Sequence, residues 1–243
     1  MIVSETDGRR RIPMTVKMET RQVSGFNSIS MRGEGTVYLD QASAPSGSEK
    51  VVIEADDALL QRIGSYVRDG RLILGFDLNW WEWITWWIDY FFVPQRSITY
   101  YVTVKEFQGI SINGSGKVFA RPLMGDQCRI KVNGAGKLKF DNLELSSLKT
   151  TISGSGDIEL AGASRRHEVI ISGSGRVNAT GFSTNETRIS ISGSGTTLVK
   201  VSDELEIRIS GSGDVRYVGQ PHITKSISGS GRVREIERMK GEG

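Results

Sequence analysis

From Gly109 to Glu235 the chain alternates apolar and polar residues around one recurring phrase, seen as IISGSGRVNA from Ile170 to Ala179. It returns as SINGSGKVFA, KVNGAGKLKF, TISGSGDIEL, SISGSGTTLV, RISGSGDVRY and SISGSGRVRE. The first glycine of each copy is Gly114, Gly134, Gly154, Gly173, Gly193, Gly211 or Gly229. Taking that glycine as zero, offset −2 holds Ile112, Val132, Ile152, Ile171, Ile191, Ile209 and Ile227. Offset +4 holds Val118, Leu138, Ile158, Val177, Thr197, Val215 and Val233. Offset −4 is β-branched from Ile110 to Ile207 and fails at Lys225, while +6 runs Ala120, Phe140, Leu160, Ala179, Val199 and Tyr217 before ending in Glu235. The odd offsets are mostly polar: −1 is Asn113 and Asn133, then Ser153, Ser172, Ser192, Ser210 and Ser228. Even offsets share one face of a strand, so this is strand periodicity and helix is excluded here.

The copies are 20, 20, 19, 20, 18 and 18 residues apart. That is too long for one strand and too short for a strand plus a crossover helix. It suits one turn of a solenoid with two or three short strands, each turn paired in parallel with the next at roughly 4.8 Å. The predicted fold is all-β: a single-stranded parallel β-helix, right-handed in expectation, with coils of 18–20 residues and an internal aliphatic stack of Ile152, Ile171, Ile191 and Ile209. The glycines are read as corners needing unusual dihedrals or close backbone approach. An antiparallel barrel or a propeller uses short strands and glycine turns as well, but explains less well why the inward residues are alike in every copy. A left-handed hexapeptide helix would need a six-residue subrepeat, which is missing.

Residues 12–109 repeat less strictly. SMRGEGTVYL, with Gly33 and Gly35, is a looser copy of the phrase. Farther on, VVIEA reads as a strand. DDALLQRIGSYV predicts one or two helical turns capped by Asp56, with Leu59, Leu60 and Ile63 on one face. Asp69-Gly70 reads as a turn leading into a strand at Leu72–Leu74. NWWEWITWWIDYFFVP, from Asn79 to Pro94, then contains all five tryptophans of the chain. Asn79 with Glu82 has capping-box character and Pro94 is a stop, so a short helical, aromatic-rich insertion is expected. It is too short to span a bilayer, which takes about 20 residues as helix. The expected division is 1–22 as N-terminal arm and first strand, and 23–109 as irregular coils with the aromatic insert 79–94. Residues 110–235 are the regular coils and 236–243 a polar tail.

Eight rings in that insert, Trp80, Trp81, Trp83, Trp86, Trp87, Tyr90, Phe91 and Phe92, are candidate interaction residues, because so much exposed aromatic surface calls for a cover. Three covers are open: a second copy or protein partner, the solenoid's own side or end, and a membrane surface or hydrophobic ligand. The acidic polar face, Glu82 and Asp89, gains nothing from anionic lipid.

Composition narrows the chemistry. With 31 basic and 28 acidic residues interleaved, the net charge is +3, and no concentrated basic stripe for nucleic acid is present. The densest basic spots, Arg9–Arg11 and Arg165–Arg166, read as a loose arm and a solvated surface. One cysteine, Cys128, excludes an internal disulfide framework and Cys-rich metal sites. His167 and His222 are nearly three coils apart, at least about 13 Å along the axis at 4.8 Å per coil, too far to share a metal. GSGKV at Gly114–Val118 lacks the full phosphate-loop pattern and any following helix. Outward Asp157, Glu159 and Asp214 offer no close catalytic pair. The reading is therefore a non-enzymatic protein with no cofactor and no metal; a glycan-binding or carbohydrate-active β-helix and a cytoplasmic assembly protein are the alternatives. The N-terminus shows no apolar signal segment, so a true start at Met1 predicts a cytoplasmic product.

Three stretches together carry a family resemblance: VVIEADDALLQRIGSYVRDGRLIL at Val51–Leu74, YYVTVKEFQGISINGSGKV at Tyr100–Val118, and the ISGSG series. From about Val23 to Val233 the chain resembles the auto-transporter adhesin family with the head GIN domain. The resemblance implies a β-helical fold in proteins exported to the bacterial envelope or surface, with surface or scaffold roles and no known catalytic residues. The tryptophan-rich insert departs from that pattern.

Overall fold

The structure is a computed structural model and describes residues 16–42, 48–76 and 97–236. The aromatic insert, with all eight candidate rings from Trp80 to Phe92, lies outside the described residues. The N-terminal elements are β1 (Val16–Arg21), β2 (Ser28–Gly33), β3 (Thr36–Gln41), β4 (Lys50–Asp56), α1 (Asp57–Leu60), β5 (Ile63–Arg68), β6 (Arg71–Phe76) and β7 (Thr99–Val104). The coils continue as β8 (Gly109–Gly114), β9 (Lys117–Ala120), β10 (Leu123–Met124), β11 (Gln127–Gly134), β12 (Lys137–Gly154) and β13 (Asp157–Gly173). They end with β14 (Arg176–Gly193), β15 (Thr196–Gly211), β16 (Asp214–Val218), β17 (His222–Gly229) and β18 (Arg232–Glu235).

From β8 onward every pairing is parallel and keeps the repeat in register: Val132 pairs with Ile152, Ile152 with Ile171, Ile171 with Ile191, and Ile191 with Ile209. These side chains are buried and stack as the internal aliphatic column that their alternation predicts. The coils are not made of two or three separate short strands, however. β12, β13 and β14 each run 17 or 18 residues and bend without breaking, and the G-x-G corner is the break between them. Register shifts between Phe140 and Leu143, Glu159 and Ala161, and Ala179 and Ser183 absorb the unequal coil lengths at the bends.

The two glycines of a corner do different work. Gly173 has φ +125°, and a Cβ there would lie 2.5 Å from the Gly154 carbonyl oxygen of the coil before. Gly175 is buried because its missing side chain leaves room for Ile152, whose Cγ2 would stand 2.6 Å from a Cβ. One glycine fits the backbone and the other fits the core.

The N-terminal coils are stacked out of chain order. β2 and β3 pair in parallel with β8 and β9, placing Gly33 beside Gly114, so the looser phrase is a true coil. On their other side they pair with β6 and β7. The coil nearest the N-terminal end therefore comes from residues 71–104. Beyond it the parallel rule fails: β4 runs antiparallel to β7, β1 antiparallel to β4, and β5 forms a hairpin with β6. Buried Val51, Ile53, Ala55, Leu60 and Ile63 belong to this cap.

The one or two helical turns expected for DDALLQRIGSYV are shortened, while the expected helix of the aromatic insert falls outside the described residues. The helical part reduces to the four residues of α1, and Ile63, expected on a helix face, begins β5 instead. Gly64 and Ser65 weaken helix there, and a turn at Asp69 (φ 52°) and Gly70 (φ 70°) offers the segment a strand partner in β6.

Candidate functional site

The insert's position in the coil follows from the strands on either side. Leu74 pairs with Met31 and Thr99 with Thr36, so β6 ends and β7 begins on either side of the level of Glu34–Gly35 in the neighbouring coil. Ile98 stands where other coils have their second glycine: its carbonyl accepts from Thr36 N at 2.8 Å, as the Gly35 carbonyl accepts from Lys117 N. Its buried side chain is tolerated because this coil has no further parallel coil outside it to accommodate. The described strands on either side of the insert, β6 and β7, thus leave and rejoin the outermost parallel coil at the level of its neighbours' G-x-G corner.

The strand to which it returns carries an exposed aromatic row. Tyr38 stacks on Tyr101 at 5.4 Å between centroids and on Phe119 at 5.5 Å, with the rings within 14° and 22° of parallel. All three face solvent, at 44, 38 and 41% exposure. Tyr101 donates to Glu54 Oε2 at 2.9 Å, which holds its phenol pKa above the usual value. The rings lie face to face, so they offer their edges outward rather than broad faces. Sequence reasoning missed this row, because Tyr38 and Tyr101 are neighbours only through the stacking order of the coils.

Farther along the solenoid the outer surface is polar and internally neutralised. Lys149 pairs with Glu168 at 2.8 Å, and Arg188 with Glu206 at 2.6 Å, each across adjacent coils. The hydrogen bond from Arg188 holds the Glu206 carboxyl below its usual pKa. Arg166 and Arg165, the densest basic spot among the described residues, share Glu186 at 3.1 and 3.9 Å. A phosphate backbone would find that charge already engaged.

An open groove of about 800 Å³ runs along the bends of five successive coils, from Glu144 to Gln220. Its floor includes Ser164 and Thr184, and Asn185, Lys200 and Ser202 line it as well. From β12 to β14 the strands beneath it are paired on both sides, so an occupant there meets side chains rather than free strand edges. Hydroxyl and amide groups there can both donate and accept, which suits a hydroxyl-rich chain lying along the axis.

Inside, offset −6 forms a fifth inward column of Cys128, Leu148, His167, Thr187, Leu205 and Ile223. His167 is buried, with Nε2 3.0 Å from Thr150 Oγ1 and the ring edge-on to Phe182; its Nδ1 has no hydrogen-bond partner. Burial drives its pKa down to about 3, so it is a neutral core residue. His222 is exposed three coils away, as the repeat spacing requires. Among the described residues no group of three His, Cys, Asp or Glu is placed to hold a metal, and no helix is long and apolar enough to cross a membrane.

Residues 25–221 match the model of a family described as putative auto-transporter adhesin, head GIN domain. The chain belongs to this family. As a member of it, the chain is a β-helix protein of the bacterial surface or envelope. Among solved structures, a putative adhesin from Bacteroides fragilis is 24% identical with a TM-score of 0.78, covering 91% of this chain and 97% of its own. A putative adhesin from Parabacteroides distasonis is 20% identical with a TM-score of 0.70, over 92% of this chain and 98% of its own. A putative lipid binding protein from the same organism is 20% identical with a TM-score of 0.68, over 91 and 96%. At these identities the likeness is one of fold. Comparison with curated proteins finds no match.

Proposed function

We propose that this head GIN domain chain is a surface scaffold that makes its principal contact at the N-terminal end, through the aromatic insert 79–94. The observation that carries this reading is the solvent-facing stack of Tyr101, Tyr38 and Phe119 on the coils flanking the insert's attachment point. The outer face of the later coils carries ion pairs instead. Each Trp or Phe brings roughly 150–250 Å² of mostly apolar surface, and the regular coils already fill their core with aliphatics. The partner is therefore apolar: a second copy, another protein, or a lipid surface, in keeping with the lipid-binding name given to one structural relative. No nucleic acid, cofactor or metal belongs to this reading.

Changing Trp83 and Trp87 together to Ser tests it by sedimentation and by flotation with liposomes. The wild type should float with vesicles or self-associate through this end, and the variant should lose that behaviour while keeping its β-sheet circular dichroism. A wild type that does neither, with blue-shifted and quenched tryptophan emission, would place the rings inside the fold and sink the proposal.

A further inference from the structure

At the opposite end the last coil presents a face that is complementary to itself. β17 pairs with β15 and β18 with β16, leaving the outer edges of β17 and β18 without a strand partner among the described residues. The inward columns reach this face with two departures from the apolar rule. Lys225 pairs in register with buried Ile207, and Glu235 with Tyr217, so both charges stand at positions that are uncharged in every earlier coil. Neither has an ion-pair partner among the described residues. Between them lie Ile227, which is 39% exposed, and half-buried Val233.

The arrangement has a centre. Lys225 and Glu235 are equally distant in sequence from Ser230, the middle of the last G-x-G corner, and so are Ile227 and Val233. A twofold axis through that corner, perpendicular to the solenoid axis, lays β17 of one chain antiparallel to β18 of another. Directly opposite residues then sum to 460 in number, and the shared inward face holds Ile227 against Val233 and Lys225 against Glu235. On the outward face the same register sets Ser226 against Arg234 and Ser228 against Arg232, with no like charges opposed. Cross-strand opposition of this kind is the unit of sheet stabilisation, and a patch that pairs with its own copy is what a twofold dimer requires. A shift of two residues would set Lys225 against Val233 and leave both charges unmatched.

We infer that the coil at Gly229 is a dimerisation edge, joining two chains tail to tail into one continuous solenoid. The occupant is a second copy of this chain. The isolated inward charges fix its register, because an inward charge left unpaired would otherwise guard the edge against association.

Sedimentation equilibrium of the full chain over a range of concentrations tests the inference. The wild type should reach twice its 26.8 kDa mass. Lys225→Glu and Glu235→Lys singly should each weaken association at least about tenfold, and the charge-swapped double variant should recover most of that loss. Each measurement is repeated in the Trp83→Ser, Trp87→Ser background, where this dimer should persist, so failure here and failure of the insert reading are told apart. A monomeric wild type at every concentration overturns the inference. So do single variants without effect, a swap no better than the singles, or association only on replacing both charges with Ile and Val, which would make them guards.

Discussion

Two copies of the repeat, IISGSGRV ending at Val177 and SISGSGRV ending at Val233, differ by one residue in eight, yet their physics is opposed. Ile171 is wholly buried between Ile152 and Ile191, whereas Ile227 has only Ile209 beside it and is 39% exposed. A solenoid coil is finished by its neighbours. The same phrase is core in the middle and surface at the end, and the charges at Lys225 and Glu235 mark where that change occurs.

The sharpest way to break the comparison is at the corner glycine. Gly173→Val must adopt φ near +125° and meets the Gly154 carbonyl, with further coils fixed on both sides. The positive φ alone costs of order 1–3 kcal/mol, and the clash adds to it. In the Lys225→Glu background, where tail-to-tail association is weakened, Gly229→Val meets the Gly211 carbonyl in the same way, but the last coil can detach without disturbing those before it. Urea unfolding should show a loss above about 3 kcal/mol for the first. The second should leave the main transition nearly unmoved, with exchange protection lost only in β17 and β18. Equal losses would mean that the last coil is as tightly held as the middle.

A smaller effect comes from the inward column. Ile171→Ala should cost about 2–4 kcal/mol, the range for truncating a buried aliphatic that leaves a cavity. Ile227→Ala in the monomer should cost under about 1 kcal/mol, since much of that side chain already meets water. Denaturant midpoints in the Lys225→Glu background, where tail-to-tail association is removed, give the comparison directly. A ratio near one would contradict the assignment of Ile227 to an open face.

Much of this was legible in the sequence because an exact repeat and a period of two reinforce each other. Offsets −4, −2, +4 and +6 are buried as their apolar runs imply, and Lys225 marks the loosened last coil. Offset −6 was not legible: Cys128, His167 and Thr187 do not look alike, and only pairing in register shows that they share a column. The order of the N-terminal coils was hidden for a related reason. Alternation reports which face a residue occupies but not which strand lies beside it, so neither the Tyr38–Tyr101 stack nor the place of β6 and β7 in the outermost parallel coil could be read. The groove lies at the bends where coil length varies, which is where the repeat is least regular.

A buried histidine of the middle carries the comparison into pH. His167 belongs to the middle and is buried with its pKa lowered to about 3. A base whose folded pKa lies below its unfolded value of 6.5 is protonated more readily in the unfolded chain. Between those values the unfolded state binds more protons, so stability falls as pH falls from about 6.5 towards 3 and is fully present above that window. At pH 5 the loss from this one group is about 2 kcal/mol, at 1.36 kcal/mol per pH unit below 6.5. Carboxylates held low, such as Glu206, add their own loss at more acid pH, so the isolating measurement is a difference. His167→Leu places in the column the residue that Leu148 supplies one coil before it and Leu205 two coils after it. Urea midpoints followed from pH 7 to 4.5 should fall less steeply for this variant than for the wild type. Parallel slopes for wild type and His167→Leu would mean that the unpartnered Nδ1 reaches water and that the column is open at this coil.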